Sequence, residues 1–429
     1  MGHDFDLRNL HIEVTTRCNL NCIYCLRRFW SGYEPRDMDF NTYLRILDQA
    51  EGLERINLYG FGEPFMNPRI LDMIHYARGS FKDSKIFLST NGMLLNESVI
   101  EKAVERGLDS IAVSVDTVNL QQLKKIRVGS GSRVLKSLED LCRIGRRILP
   151  ELEIGVECVI LKHGFEELPK VVEYAAELGV DYVQVSHVVP YSKQIYEYAC
   201  YTCVSERVLS MLGEDGLRKL CEIRDKASHQ ALLLSYARPR GSHELKKYFE
   251  IMGDLTSHGY TANLTALCEE RHKISLALRV REVFERMNEV AESNGVELRI
   301  PKVFSDAADR TCPYEEKHSI YVRRDGKVAP CMELAYTHPE YVNSHNKLVH
   351  EYLIGDVRSE SLSKILSNEG FEKLREMRRN LIHNCPWCGD CPYSELECWF
   401  VKDNLLDCYG NSPSCSECLY SVGLASCII

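Results

Sequence analysis

Between Thr15 and Trp30 the chain reads TTRCNLNCIYCLRRFW, with three residues between Cys18 and Cys22 and two between Cys22 and Cys25. No histidine lies inside this loop; the nearest, His11, belongs to the apolar run before it. A structural zinc wants four ligands, commonly as two CxxC-type pairs, so the trio is one short. A catalytic zinc on three thiolates is conceivable from spacing alone. Thiolates this dense suit a 4Fe–4S cubane better, because three of them leave one iron open to an exogenous ligand. Asn19, Asn21 and the arginine-rich exit at Arg27 and Arg28 are too polar for thiols that merely fill a core. The spacing predicts cluster ligation.

A second concentration of thiols closes the chain. Nine of the nineteen cysteines lie from Cys312 to Cys418. The run CPYEEKHSIYVRRDGKVAPC holds two strand-like stretches around Asp325-Gly326, a hairpin signal, with Gly326 five positions before Cys331. Cys385, Cys388, Cys391 and Cys398 follow, then Cys408, Cys415 and Cys418. Cys385-x2-Cys388 with Cys415-x2-Cys418 would also satisfy a zinc ribbon. Cys200 and Cys203 form an isolated CxxC that reads as incidental, and Cys142, Cys158, Cys221, Cys268 and Cys427 read as small buried hydrophobes.

Positioning such loops takes a scaffold, and the first ~190 residues alternate strand and helix signals. LHIEV precedes the cysteine loop; RINLYG, KIFLST, SIAVSV, EIGVECVIL and DYVQVSHVV follow as strands, with helix faces between them. Six β-α units imply a parallel sheet whose sites sit at the strand C-termini. Six are too few for the closed eight-stranded barrel, so the expected fold is α/β, a partial, open (β/α)6 barrel over residues 1–190. The stretches ERVLSMLGEDGLRKLCEIRDKA and SLALRVREVFERMNEVAES read as helices of an insertion over 191–305, and 306–429 as a small, separate cysteine-rich, metal-bearing domain.

The bulk composition limits the alternatives. At 429 residues, with 45% hydrophobic and 27% charged content, the chain is an ordinary globular one. A net charge of −9 disfavours a nucleic-acid partner, and no basic, aromatic-interleaved strip offsets it. No run approaches the roughly 18 apolar residues of a membrane span, and MGHDFDLRNL lacks a signal-peptide pattern, so no membrane partner and a cytoplasmic location are expected. In that reducing compartment clustered cysteines point to metal rather than disulfides.

A CxxxCxxC loop after the first strand, with Tyr24 just before its last cysteine, resembles the radical S-adenosylmethionine superfamily over residues ~8–190. The resemblance implies an oxidoreductase-type, anaerobic enzyme. Its open iron would chelate the amino and carboxylate groups of S-adenosylmethionine, and an electron would cleave the sulfonium to a 5′-deoxyadenosyl radical. YGFGEP resembles the family's GGEP motif, implying that Gly60, Gly62 and Glu63 hold the methionine ammonium, although Phe61 replaces the first glycine of that motif. LSTNG puts Ser89 and Asn91 at the pocket rim. Ser114 and Asp116 of VSVD resemble residues that meet the ribose and methionine carboxylate region, and Arg127 resembles the family's carboxylate-binding arginine. Read without the resemblance, Ser114 and Asp116 are equally good helix caps, and Glu63 and Arg127 ordinary surface charges.

The C-terminal cysteines resemble the SPASM extension, which implies one or two auxiliary 4Fe–4S clusters on Cys312, Cys331, Cys385, Cys388, Cys391, Cys398, Cys408, Cys415 and Cys418. The Cys312–Cys331 gap is longer than usual, and the Cys385–Cys398 spacing departs from CxxCx5Cx3C. RRFW…RDMDF, NLYGFGEPFMNP and DCYGNSPSCSECLYSVGLASC resemble radical maturases associated with tungsten-cofactor oxidoreductases. That implies a peptide, protein or pterin-cofactor substrate, a tungsten oxidoreductase among the candidates, and a ferredoxin- or flavodoxin-like electron donor. A SPASM enzyme modifying peptides, of the sulfatase-maturase or thioether-forming type, is the second reading, and a zinc-binding cysteine-rich interaction module the non-enzymatic one. No side chain is assigned a catalytic proton- or hydrogen-transfer role.

Overall fold

A computed structural model describes residues 5–226, 243–394 and 398–427. Its centre is a ten-stranded open sheet. In chain order the strands are β1 (Asn9–Ile12), β2 (Arg55–Leu58), β3 (Lys85–Thr90), β4 (Ser110–Ser114), β5 (Glu153–Ile160), β6 (Tyr182–His187), β7 (Glu297–Arg299), β8 (Ser319–Val322), β9 (Lys327–Ala329) and β10 (Gly355–Asp356). Across the sheet they run β7-β6-β5-β4-β3-β2-β1-β8-β9-β10. All pairs from β7 to β8 are parallel, while β8-β9 and β9-β10 are antiparallel.

Among the described residues the helices of six or more residues are α1 (Phe40–Leu47), α2 (Ile70–Ser80), α3 (Glu97–Glu105), α4 (Leu120–Ile126), α5 (Arg133–Asp140), α6 (Leu168–Glu177), α7 (Glu206–Lys226), α8 (His243–Ser257), α9 (Leu264–Glu269), α10 (Arg271–Asn294) and α11 (Glu369–Arg379). Period-two alternation sorts each strand. Ile154, Val156 and Cys158 of β5 join Ile56, Leu58, Ile86, Leu88, Val183 and Val185 in one buried cluster with helix residues such as Ile46, Ile74 and Val172. The opposite face of the strands holds a small cluster of Tyr59, Phe87, Ala112 and Tyr182. Tyr182 lies across Gly155, where a Cβ would come within 2.1 Å of its ring; only glycine leaves that floor closed.

The expected six-strand run is present as β1 to β6. Two additions flank it. The three-residue β7 extends one edge, and β8 pairs with β1 in register Asn9↔Ser319 to Ile12↔Val322, carrying the sheet into the C-terminal third. The expected hairpin at Asp325-Gly326 joins β8 to β9. Within the expected helical insertion, α10 packs on the barrel wall through Val280, Phe284 and Met287, whereas α7, α8 and α9 share a separate core with Leu220, Met252 and Leu267. α7 is interrupted at Gly213; Ala227, the last residue of its expected helix, lies outside the described residues. One expectation is corrected here: Cys221 and Cys268, read as small buried hydrophobes, form a disulfide between α7 and α9. Among the described residues no helix is long and apolar enough to cross a membrane.

Candidate active site

The cysteine loop leaves the C-terminal end of β1 and is fastened at its base. Thr15 Oγ1 donates to Asp37 Oδ1 (2.6 Å), Thr16 Oγ1 to the Glu34 carbonyl (2.6 Å), and Glu63 N to the Arg17 carbonyl (2.7 Å). Asn21-Cys22 pairs antiparallel with Arg127-Val128, which puts Cys22 opposite Arg127. Burial raises the Cys22 thiol to about 11 against the opposing Arg127 guanidinium, and raises Cys18 against Arg27. Those two cations are what a set of bound thiolates would find waiting.

The strand ends supply the rest of the wall. Gly62 packs so tightly on the loop that a Cβ would sit 2.3 Å from the Thr15 carbonyl oxygen. Phe61 does not disturb this arrangement: its N–H donates to Glu13 (3.3 Å) and its ring meets Tyr336 edge-on. The Glu63 carboxylate is buried and accepts from Thr90 Oγ1 (2.7 Å), Asn91 N (2.7 Å) and Phe65 N (3.2 Å); burial raises its pKa and those bonds oppose the rise. Asn91 Nδ2 reaches Cys18 Sγ (3.6 Å), and Ser89 Oγ donates to Glu157 (2.7 Å).

Asp116 and Arg127 are not separate contacts but one buried pair. Arg127 donates twice, at 2.7 and 2.9 Å, while Tyr24 OH (2.8 Å) and Val159 N (2.9 Å) donate to the same carboxylate. Asp116 thus ties the cysteine loop, through Tyr24, to β5.

These residues border one cavity of about 340 Å³. Of the sequence candidates, Cys18, Cys22, Cys25, Tyr24, Gly60, Gly62, Glu63, Ser89, Asn91, Ser114 and Arg127 line it, and Asp116 stands behind Arg127. The opposite wall is C-terminal: Cys312, Cys331, Cys415 and Cys418 face the same space. Burial pushes Cys312 up to about 11, with Arg378 opposing and Cys415 and Cys331 adding to the rise.

Cys385, Cys388, Cys391, Cys398 and Cys408 lie away from the cavity. Cys391 is raised by burial and then by Cys398, and Cys408 by burial, Asp407, Cys391 and Cys398. Cys388 N–H bonds the Ser416 carbonyl and Cys391 N–H the Cys388 carbonyl. Cys385 packs in one cluster with Cys331 and Cys415; burial and then Cys415 raise its pKa, and its Sγ also lies 3.7 Å from Asp407 and 3.9 Å from Arg310. Among the described residues no three His, Cys, Asp or Glu side chains converge as tightly as the ligands of a single ion do.

Several lining residues were not anticipated. Glu157, Gln184, Ser186 and His187 come from β5 and β6, Glu333 follows Cys331, and Cys427 reaches the cavity from the chain end. Glu157 lines the cavity; burial lifts it to about 7, and among the described residues its buried Oε1 has no hydrogen-bond partner. A signal existed: a parallel strand buried on both faces reads as an apolar run, so Glu157 and Gln184 inside EIGVECVI and YVQVSH stand out. Glu333 pairs with buried His338 at 3.2 Å. Cys200 and Cys203 are fully buried in different apolar clusters.

Comparison with known proteins agrees with this geometry. Residues 12–175 match the radical SAM superfamily and residues 312–392 the SPASM iron-sulfur cluster-binding domain. A Pyrococcus furiosus protein, the tungsten-containing aldehyde ferredoxin oxidoreductase cofactor-modifying protein, is 27% identical over 431 residues, covering 99% of this chain and 98% of its own. A probable GTP 3′,8-cyclase of Methanococcus maripaludis is 26% identical over 56% of this chain and 78% of its own. In fold the chain resembles anSMEcpe with bound AdoMet (TM-score 0.53, 16% identity, 97% of this chain and 93% of that one). It also resembles Streptococcus suis SuiB (TM-score 0.54, 12% identity, 90% and 72%).

Proposed function

We propose that this chain, a radical SAM enzyme with a C-terminal SPASM domain, modifies the cofactor or the polypeptide of a tungsten oxidoreductase. Its cofactors are a 4Fe–4S cluster with S-adenosylmethionine and auxiliary iron–sulfur clusters. The observation that carries the reading is the single cavity bordered on one side by Cys18, Cys22 and Cys25 and on the other by Cys312, Cys331, Cys415 and Cys418. The near full-length similarity to the Pyrococcus furiosus cofactor-modifying protein supports the choice of substrate.

In this reading Cys18, Cys22 and Cys25 would hold the 4Fe–4S cluster, which when bound would supply the electron for reductive cleavage of S-adenosylmethionine. Glu63 takes the methionine ammonium, with Thr90 and Asn91 holding its carboxylate in place. Ser114 and Ser89, at the cavity wall, would meet the ribose side, and Arg127, held rigid by Asp116, would take the methionine carboxylate. Cys312, Cys331, Cys415 and Cys418 ligate one auxiliary cluster, and Cys388, Cys391, Cys398 and Cys408 the other. Cys385, the ninth thiol, stands beside Cys415 with Asp407 and Arg310 at its sulfur, and is left outside both sets of four in this reading. A ferredoxin- or flavodoxin-like protein in the cytoplasm supplies electrons.

The test is anaerobic turnover of the reconstituted enzyme with S-adenosylmethionine, reductant and an immature tungsten oxidoreductase. Formation of 5′-deoxyadenosine that depends on the partner, with a mass change on its extracted pterin or its peptide, is the expected result. No dependence on the partner, with turnover on an unrelated cysteine-containing peptide, would move the assignment to the peptide-modifying SPASM enzymes.

A further inference from the structure

Arg378, in the last turn of α11, is a buried guanidinium. Among the described residues no carboxylate pairs with it: its partners are Cys331 Sγ at 3.3 Å and the Pro330 carbonyl at 3.4 Å, and its Nε has none. Arg375, one turn earlier on the same helix, shows the ordinary solution, pairing with Glu315 (3.3 Å) and Glu372 (3.0 Å). A buried cation without a counter-ion is a costly arrangement that persists where an anion is supplied. What surrounds Arg378 is the group Cys312, Cys331 and Cys415, at the cavity wall. Glu333, an acid of the same cavity wall, is engaged by His338 at 3.2 Å.

We propose that Arg378 is a positioning residue for electrons: it makes the cluster on Cys312, Cys331, Cys415 and Cys418 the more easily reduced of the two auxiliary clusters. The inference rests on the reading that these thiols hold iron. Reduction adds one negative charge to a cluster already bearing thiolates. A fixed positive charge at hydrogen-bond distance from a ligand sulfur stabilises the reduced form, and burial keeps water from screening it. The second group, Cys388, Cys391, Cys398 and Cys408, has Lys347 nearby, but that ammonium is matched by Glu417 at 3.2 Å. Among the described residues, Arg378 is a buried cation that donates to a sulfur of the cavity-facing group and pairs with no carboxylate. An electron leaving the cavity would therefore settle on the cluster that borders it.

Reductive titration of the reconstituted full-length protein, followed by the EPR signals of the separate clusters, tests this. Arg378→Met is expected to shift one auxiliary cluster's reduction equilibrium about a hundredfold toward the oxidised form, roughly 120 mV at 59 mV per decade. Arg378→Lys keeps the charge on a shorter stem and is expected to shift it about tenfold. The other signals should not move. An unchanged midpoint in Arg378→Met overturns the proposal; should that variant not assemble the cluster, an unchanged midpoint in Arg378→Lys does so. A Cys312→Ala, Cys331→Ala variant that keeps the wild-type iron content overturns instead the ligand reading beneath it.

Discussion

Asp116→Asn attacks the point at which the cysteine loop is tied to the sheet. The Asp116 side chain is 1% exposed and Arg127's is 7%, and four donors converge on the carboxylate: two from Arg127, one from Tyr24 and one from the Val159 amide. Removing one member of a buried ion pair leaves the other uncompensated, at a cost of about 3–5 kcal/mol. Asparagine offers one acceptor oxygen and an amide NH2 that faces a donor, so at least one buried N–H loses its bond. Tyr24→Phe is the control: it deletes one bond, leaves the ion pair, and should cost about 1 kcal/mol. Urea unfolding of the anaerobic apoprotein measures both. Because Cys22 lies opposite Arg127, Asp116→Asn should also empty the loop of iron while the C-terminal clusters persist. A variant within 1 kcal/mol of wild type that retains its full iron content would refute the claim that this pair anchors the loop.

Other outcomes follow from the same geometry. Glu63→Gln keeps the shape but loses the charge, and should weaken S-adenosylmethionine about 10- to 100-fold in a binding titration read by the cluster's EPR signal. Gly62→Ala drives a Cβ into the Thr15 carbonyl and should lower both stability and iron occupancy of the first cluster, measured by thermal unfolding and iron assay. Glu157 binds its proton more tightly in the folded chain (about 7) than at its ordinary value of 4.5, so ligand-free stability should fall as pH rises between those values. Glu157→Gln should abolish that fall, worth about 3 kcal/mol, in unfolding curves at pH 5 and 8. Cys388→Ala with Cys391→Ala should remove iron without stopping reductive cleavage of S-adenosylmethionine.

What the sequence made legible was local. The Cys18–Cys22–Cys25 spacing lies within eight residues, and β1 to β6 are apolar runs whose ends carry Glu63, Asn91 and Ser114. What it concealed was convergence between distant segments. β8 joins β1 across more than three hundred residues, and nothing in SIYV distinguishes a sheet-extending strand from an isolated hairpin. Cys221 and Cys268 stand 47 residues apart, so their pairing depends on how α7 and α9 pack. Asp116 and Arg127 were each legible as candidates, but their pairing required the fold of the α4 loop. Arg378 reads as a solvated base in EKLREMRRN, and only the packing of α11 against Cys331 shows it to be buried.

The central claim, that Cys18, Cys22 and Cys25 hold the cluster that cleaves S-adenosylmethionine, has a direct test. The Cys18→Ala, Cys22→Ala, Cys25→Ala variant is reconstituted anaerobically, reduced with dithionite and assayed for 5′-deoxyadenosine. The account predicts loss of one cluster's iron, survival of the C-terminal clusters and no 5′-deoxyadenosine above background. Release of 5′-deoxyadenosine at the wild-type rate would contradict it.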